Sequence, residues 1–190
     1  MIEIRIHGRG GQGVVTAAEL LASAAFHDGK VAQAFPSFGS ERTGAPVTAF
    51  CRIGTSQIRS REPVAHPNVL LIQDSTLLYQ EHVFRGLSEQ GIVLMNSIRK
   101  VEELGLRDWM VQHPEVEVYS FPASDFAEKH LGRSIANVAM VAGFASITGA
   151  LTKSSVEYAI KEKFSGQMSE SNIQVANDAF DYLSSHKVGV

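Results

Sequence analysis

The sequence predicts an α/β domain on a mainly parallel sheet, and three observations carry that prediction. Strand-like and helix-like stretches alternate along the 190 residues, the pattern of parallel strands joined by helices. The first apolar strand runs into a glycine-rich turn that opens an amphipathic helix. The last third is helical throughout. At 190 residues the chain is expected to be a single domain, residues 1–190, with no repeat or linker to divide it.

The first strand is Ile2–His7, with Ile2, Ile4 and Ile6 on one face and Glu3 and Arg5 on the other. The glycine-rich turn Gly8–Gly13 follows. A helix from Val14 to about Phe26 puts Val14, Ala18, Leu21 and Ala25 on one face, and Asp28-Gly29 closes it. Val31–Phe35 is the second strand. Pro36–Pro46 is a second glycine-containing loop, and Val47–Ile53 a third strand. It is joined by loop rather than helix, so this part of the sheet is expected to be antiparallel.

Val69–Gln73 reads as a buried strand, with Asp74 capping a helix from Ser75 to about Leu87. Gly91–Asn96 and Val116–Phe121 are further strands, with a helix around Val101–Met110 between them. Ser124 or Asp125 starts a short helix to Leu131, closed by Gly132. Ser154-Ser155-Val156-Glu157 has the form of a capping box opening a helix to about Phe164. The final helix covers about Ser171 to Ser184. Five or six strands suit one Rossmann-like sheet with helices on both faces.

Composition excludes several functions. The chain is 44% hydrophobic with 17 Lys+Arg against 20 Asp+Glu. It is neither disordered nor a general nucleic-acid binder, for it carries no basic field. Its one cysteine, Cys51, forms no internal disulfide and cannot supply the roughly four thiolates of an iron–sulfur cluster. The histidines show no shared spacing, so no metal site is expected. The N-terminal pattern is a strand rather than a signal peptide, which makes the cytoplasm the expected location. Ser134–Thr152 is nineteen residues without a charge, close to membrane-span length. Its many small residues fit a buried packing helix better, so no membrane association is expected.

Gly8-Arg9-Gly10-Gly11-Gln12-Gly13 fits the G-x-G-x-x-G pattern between a strand and a helix. Glycines let the backbone approach a ligand, while the helix's unpaired N–H groups and positive end favour an anion. Arg9 offers a planar fork of donors for phosphate. A nicotinamide dinucleotide would also need an acid at the end of the second strand, but Val31-Ala32-Gln33-Ala34-Phe35 contains none. The motif alone is equally consistent with a tight turn that binds nothing. No residue is assigned as catalytic. His7 is the best-placed titratable group, but a histidine there more often hydrogen-bonds the turn. Cys51 reads as a small core residue, Trp109 as packing and Glu102-Glu103 as a solvated face.

The second loop, Ser37-Phe38-Gly39-Ser40-Glu41-Arg42-Thr43-Gly44-Ala45-Pro46, is unusually long for a compact domain and charged. With His7–Gly13, Thr16-Ala17-Ala18 and Ala34-Phe35-Pro36, it resembles the gamma subunit of 2-oxoacid:ferredoxin oxidoreductases, in the pyruvate-type branch. Gln73-Asp74 and Gly132-Arg133…Asn137 agree, and the resemblance covers essentially the whole chain. Thr43 stands where this family often has a second basic residue.

The resemblance implies a non-catalytic subunit of a complex with alpha, beta and delta chains. That complex would use thiamine diphosphate, [4Fe-4S] clusters and coenzyme A, and pass electrons to ferredoxin. Pyruvate, coenzyme A and oxidised ferredoxin would become acetyl-coenzyme A, carbon dioxide and reduced ferredoxin, with no cofactor held by this chain alone. By this resemblance Arg9, Gly10, Gly11, Gln12 and Gly13 would face coenzyme A phosphates or a neighbouring subunit. Ser37, Glu41 and Arg42 would hold the second loop against the alpha subunit. The competing readings are the gamma chain of an aryl 2-oxoacid (phenylglyoxylate) dehydrogenase and a free-standing nucleotide-binding module.

Overall fold

The computed structural model describes residues 1–37, 43–80 and 82–186. Six strands form one sheet in the order β2-β3-β1-β4-β5-β6: β1 (Ile2–Arg9), β2 (Val31–Pro36), β3 (Pro46–Gly54), β4 (Val69–Ile72), β5 (Ile92–Asn96) and β6 (Glu117–Phe121). β1, β4, β5 and β6 are parallel. β3 is antiparallel to both its neighbours, β1 and β2, as its helix-free connection predicts. The helices are α1 (Val14–His27), α2 (Arg107–Gln112), α3 (Ala123–Leu131), α4 (Asn137–Thr148), α5 (Lys153–Lys163) and α6 (Gly166–His186).

The two faces of the sheet are covered unequally. Ile4, Ile6, Val69, Leu71 and Leu94 meet the larger core with α1, α4, α5 and α6. Leu70, Ile72, Val93 and Met95 face a smaller core closed by short 3-10 helices, α2 and loops. The uncharged helix α4 spans twelve residues, nearly all buried. An 18 Å helix, at 1.5 Å per residue, is too short to cross roughly 30 Å of hydrocarbon. No helix among the described residues is long and apolar enough to cross a membrane.

Four local expectations are corrected. Ser75–Leu87 is not an α-helix. Only Ser75–Tyr79 is helical, as a 3-10 turn. Adjacent Leu77 and Leu78 both turn inward and, among the described residues, the next buried one is Val83, a spacing that keeps no α-helical face. Gly105, at φ 71°, divides the expected Val101–Met110 helix into a 3-10 turn, Val101–Leu104, and α2.

The capping box at Ser154–Glu157 does not form. Thr152 is the N-cap and accepts from the Ser155 N–H, and α5 starts at Lys153. The Ser155 hydroxyl instead donates to Asp28, which also accepts from the Thr152 N–H and hydroxyl, tying the end of α1 to the start of α5. Finally, α6 begins at Gly166, earlier than Ser171.

Opposite the helical face, β1 and β3 turn charged residues inward. Arg5 is 8% exposed and donates to the carbonyls of Val64, Val83 and Arg85. Arg52, 3% exposed, pairs with Glu3 at 2.8 Å and donates to the Glu62 carbonyl. Two arginines thus hold the irregular segment 55–68 against the sheet by satisfying its backbone.

Candidate functional site

β1 continues through Gly8 and Arg9, paired with Val47 and Pro46, so the turn proper is shorter than the motif. Gly11 and Gly13 take φ of 93° and 71°, where a glycine is strongly favoured. The turn is pressed against its surroundings. A Cβ at Gly8 would lie 2.5 Å from Val14 Cγ2, and one at Gly13 would lie 2.4 Å from Asn137 Nδ2. These glycines let strand, helix α1 and the start of α4 meet.

The turn sits where the chain leaves β1 for one side of the sheet while β4 lies on the other. In open α/β sheets this switch point is where ligands bind. Helix α1 starts there with no side-chain cap and no acid in its first turn, leaving its positive end without an anionic partner from that turn.

Arg9 does not point freely outward. Its Nε donates to Asp74 Oδ2 at 3.0 Å, with further bonds to the Gly44 carbonyl and the Thr76 hydroxyl. Gln12 Nε2 donates to the same Asp74 oxygen at 3.0 Å, while Gln12 Oε1 accepts the Arg9 N–H. Asp74 Oδ1 takes the Thr76 N–H and hydroxyl. Burial alone would raise the Asp74 carboxyl. The bonds from Thr76 and Gln12, with the Arg9 charge, hold it below the usual carboxylate range.

The two loops singled out in the sequence meet. The Gly10 N–H donates to the Ala45 carbonyl at 2.8 Å, and the Gly44 N–H to the Gly10 carbonyl at 3.1 Å. Ser37 is exposed and its N–H donates to Thr48. That places it two strands from His7, about 10 Å at the usual strand spacing. Glu41 and Arg42 lie outside the described residues.

On the helical side of the turn is a cavity of about 330 Å³. Gly11, Gly13 and Thr16 form one wall, Arg133 and Lys163 bring positive charge, and Phe164 and Met168 bring apolar surface. Lys163 is paired with Glu19 at 2.7 Å. Arg133 and Asn137 lie in the segment already noted for the family resemblance, but α5 and α6 reach the turn only through tertiary packing.

His7 is not a general base. It accepts from Arg5 Nε at 3.0 Å, and burial, aided by the Arg5 charge, pushes its imidazole down to about 3. Its partner is Arg5 rather than the turn. Burial pushes the Cys51 thiol up to about 12, so it is an inert core group. Among the described residues no group of His, Cys, Asp or Glu is arranged to hold a metal ion.

The pyruvate ferredoxin/flavodoxin oxidoreductase family model matches residues 3–182. The pyruvate synthase subunit PorC of Methanocaldococcus jannaschii is 44% identical over 96% of this chain and 97% of its own. The common gamma subunit of the pyruvate and ketoisovalerate oxidoreductases of Pyrococcus abyssi is 45% identical over 95% and 96%. The crystal structure of the pyruvate oxidoreductase subunit PORC from Thermotoga maritima superposes with a TM-score of 0.81 at 34% identity, covering 95% of each chain. A match this complete, on a chain whose two signature loops interlock at the sheet's switch point, places the protein in the pyruvate ferredoxin/flavodoxin oxidoreductase family, as a gamma subunit.

Proposed function

We propose that this gamma subunit works in a cytoplasmic complex with alpha, beta and delta chains that oxidises pyruvate and passes the electrons to ferredoxin. In that complex its glycine turn helps hold coenzyme A. The supporting observation is the uncapped start of α1, free of acids, opening on a cavity with Arg133, Lys163 and apolar walls. A phosphorylated ligand with an apolar arm suits that mixture. The N–H groups of Gly11, Gly13 and the first turn of α1 would face phosphate, with Arg133 and Lys163 beside them.

Arg9 and Gln12 serve in this reading by bracing the turn on Asp74. Ser37, Glu41 and Arg42 would hold the second loop against the alpha subunit. Thiamine diphosphate and the [4Fe-4S] clusters would supply decarboxylation and electron transfer. This chain's one thiol is buried in β3 and cannot furnish the roughly four thiolates of a cluster, so the clusters belong with the partner chains, and thiamine diphosphate is assigned there by the family resemblance. The substrate pocket belongs there as well. The Pyrococcus abyssi relative is named as common to a pyruvate and a ketoisovalerate enzyme, which supports a subunit that does not select the oxoacid.

The test is steady-state kinetics on the purified complex carrying Arg133→Ala or Lys163→Ala. The KM for coenzyme A is expected to rise about tenfold for one lost charge contact, with the KM for pyruvate unchanged. An unchanged KM for coenzyme A in both variants contradicts the coenzyme A role.

A further inference from the structure

Gln73 follows β4 and sits against the first strand at the switch point. Its backbone is fully paired: the N–H donates to the His7 carbonyl at 2.8 Å, and the carbonyl accepts from Asn96 Nδ2 at 2.9 Å. Its side chain is the opposite case. Gln73 is 2% exposed, and among the described residues neither amide atom has a hydrogen-bond partner in the protein. Leaving such a group unpaired is costly, and a leucine or methionine would fill the space without that cost.

The amide lies under the glycine turn. Gln73 Oε1 is 3.3 Å from the point where a Cβ on Gly8 would stand, and Gln12 Oε1 is 3.1 Å from the same point. Both oxygens are acceptors beside the same backbone position, and one small donor placed between them would serve both. Gln12 Oε1 already takes one N–H, from Arg9, and an amide oxygen has room for a second. Val14 Cγ2, 2.5 Å from that point, excludes a side chain at Gly8, which leaves the two amide oxygens as the polar groups facing the turn there.

We propose that Gln73 is a positioning residue for the glycine turn. Its amide bonds one buried water shared with Gln12, and so sets the position of the turn over β4 and its affinity for coenzyme A. Buried waters bond polar groups that otherwise lack partners, and here the two O–H groups of one water would go to Gln73 Oε1 and Gln12 Oε1. The affinity arm rests on the reading of the turn as a coenzyme A site. The water concerns this chain alone, whatever the turn binds.

The test is Gln73→Met in the assembled complex, beside a high-resolution crystal structure of the unaltered protein. Loss of one bridged hydrogen bond is expected to raise the KM for coenzyme A about fivefold. kcat and the KM for pyruvate should not change. A glutamine that only filled space would not split the KM values in this way. The crystal structure is expected to show a water bonded to the Gln73 amide and to Gln12. A shift in the coenzyme A KM with Arg133→Ala but none with Gln73→Met overturns the positioning role alone. No shift with either overturns both readings. A Gln73 amide with no water overturns the bridge.

Discussion

Arg9 and Asp74 meet at 3.0 Å across the ends of two neighbouring parallel strands, 65 residues apart in sequence. The pair is part-buried and shares its acceptor oxygen with Gln12, so it fixes the turn that precedes α1. In a double-mutant cycle with Arg9→Gln and Asp74→Asn, the coupling is expected to be about 1 kcal/mol, above the usual exposed pair because Gln12 and Thr76 share the network. Chemical denaturation of the four proteins measures it. Additive effects would show that the pair does not act as a brace.

The two positive-φ glycines of the turn should respond differently to alanine. Gly11→Ala meets nothing within 4 Å, so it carries only the backbone strain, about 1 kcal/mol. Gly13→Ala drives a methyl to 2.4 Å from Asn137 Nδ2 and should cost about 2–3 kcal/mol. Asn137→Ala should recover part of the Gly13→Ala loss and none of the Gly11→Ala loss. Thermal melts of the isolated chain check the order, and equal losses would refute the packing argument.

Much of this arrangement was legible in the sequence. Alternation in Ile2–His7, the glycine motif and the spacing of Val14, Ala18, Leu21 and Ala25 locate β1, the turn and α1, because each element buries one periodic face. The antiparallel placement of β3 followed from its short, helix-free connection. Arg5 and Arg52 were not legible as buried groups. In a strand, a charge on the alternate face ordinarily marks solvent, and here that face is covered by an irregular segment with no periodic signature. The capping role of Asp74 is legible from its place before Ser75, but its bond to Arg9 depends on strand order. Lys163 reaches the turn only through the packing of α5 on α1.

Arg5 gives the test of that hidden face. Arg5→Met leaves the buried carbonyls of Val64 and Val83 and the part-buried carbonyl of Arg85 without their donor. A loss of about 3 kcal/mol is expected. Arg5→Lys should recover little, since an ammonium cannot reproduce the fork. Hydrogen exchange should show faster opening of residues 55–68 in both variants. Unchanged exchange there would contradict the pinning role.

His7 makes stability depend on pH. Its folded value is pushed down to about 3, while an unfolded histidine titrates near 6.5. Between these values the unfolded chain binds the extra proton, so stability falls as pH drops below about 6.5, by at most about 1.4 kcal/mol per pH unit. His7→Gln, which keeps an acceptor for Arg5, should remove that slope. The depressed carboxyls of Asp74 and Asp28 act lower. Their contribution is complete above about pH 4, the unfolded carboxylate value, and is lost as pH falls through their lower folded values. Denaturation curves between pH 4.5 and 7.5, on the order of the histidine range, separate the two effects. A His7→Gln slope equal to the parent's would show that His7 is not the group responsible.

Anaerobic purification of the tagged chain from its native cell decides whether it works as the gamma subunit of a coenzyme A-dependent pyruvate oxidoreductase. The eluate is assayed for iron–sulfur absorbance and for pyruvate-driven reduction of a viologen dye with and without coenzyme A. The expected result is a brown hetero-oligomer whose dye reduction requires both pyruvate and coenzyme A. A colourless, solitary and inactive chain, recovered under conditions in which such complexes survive, would contradict the claim.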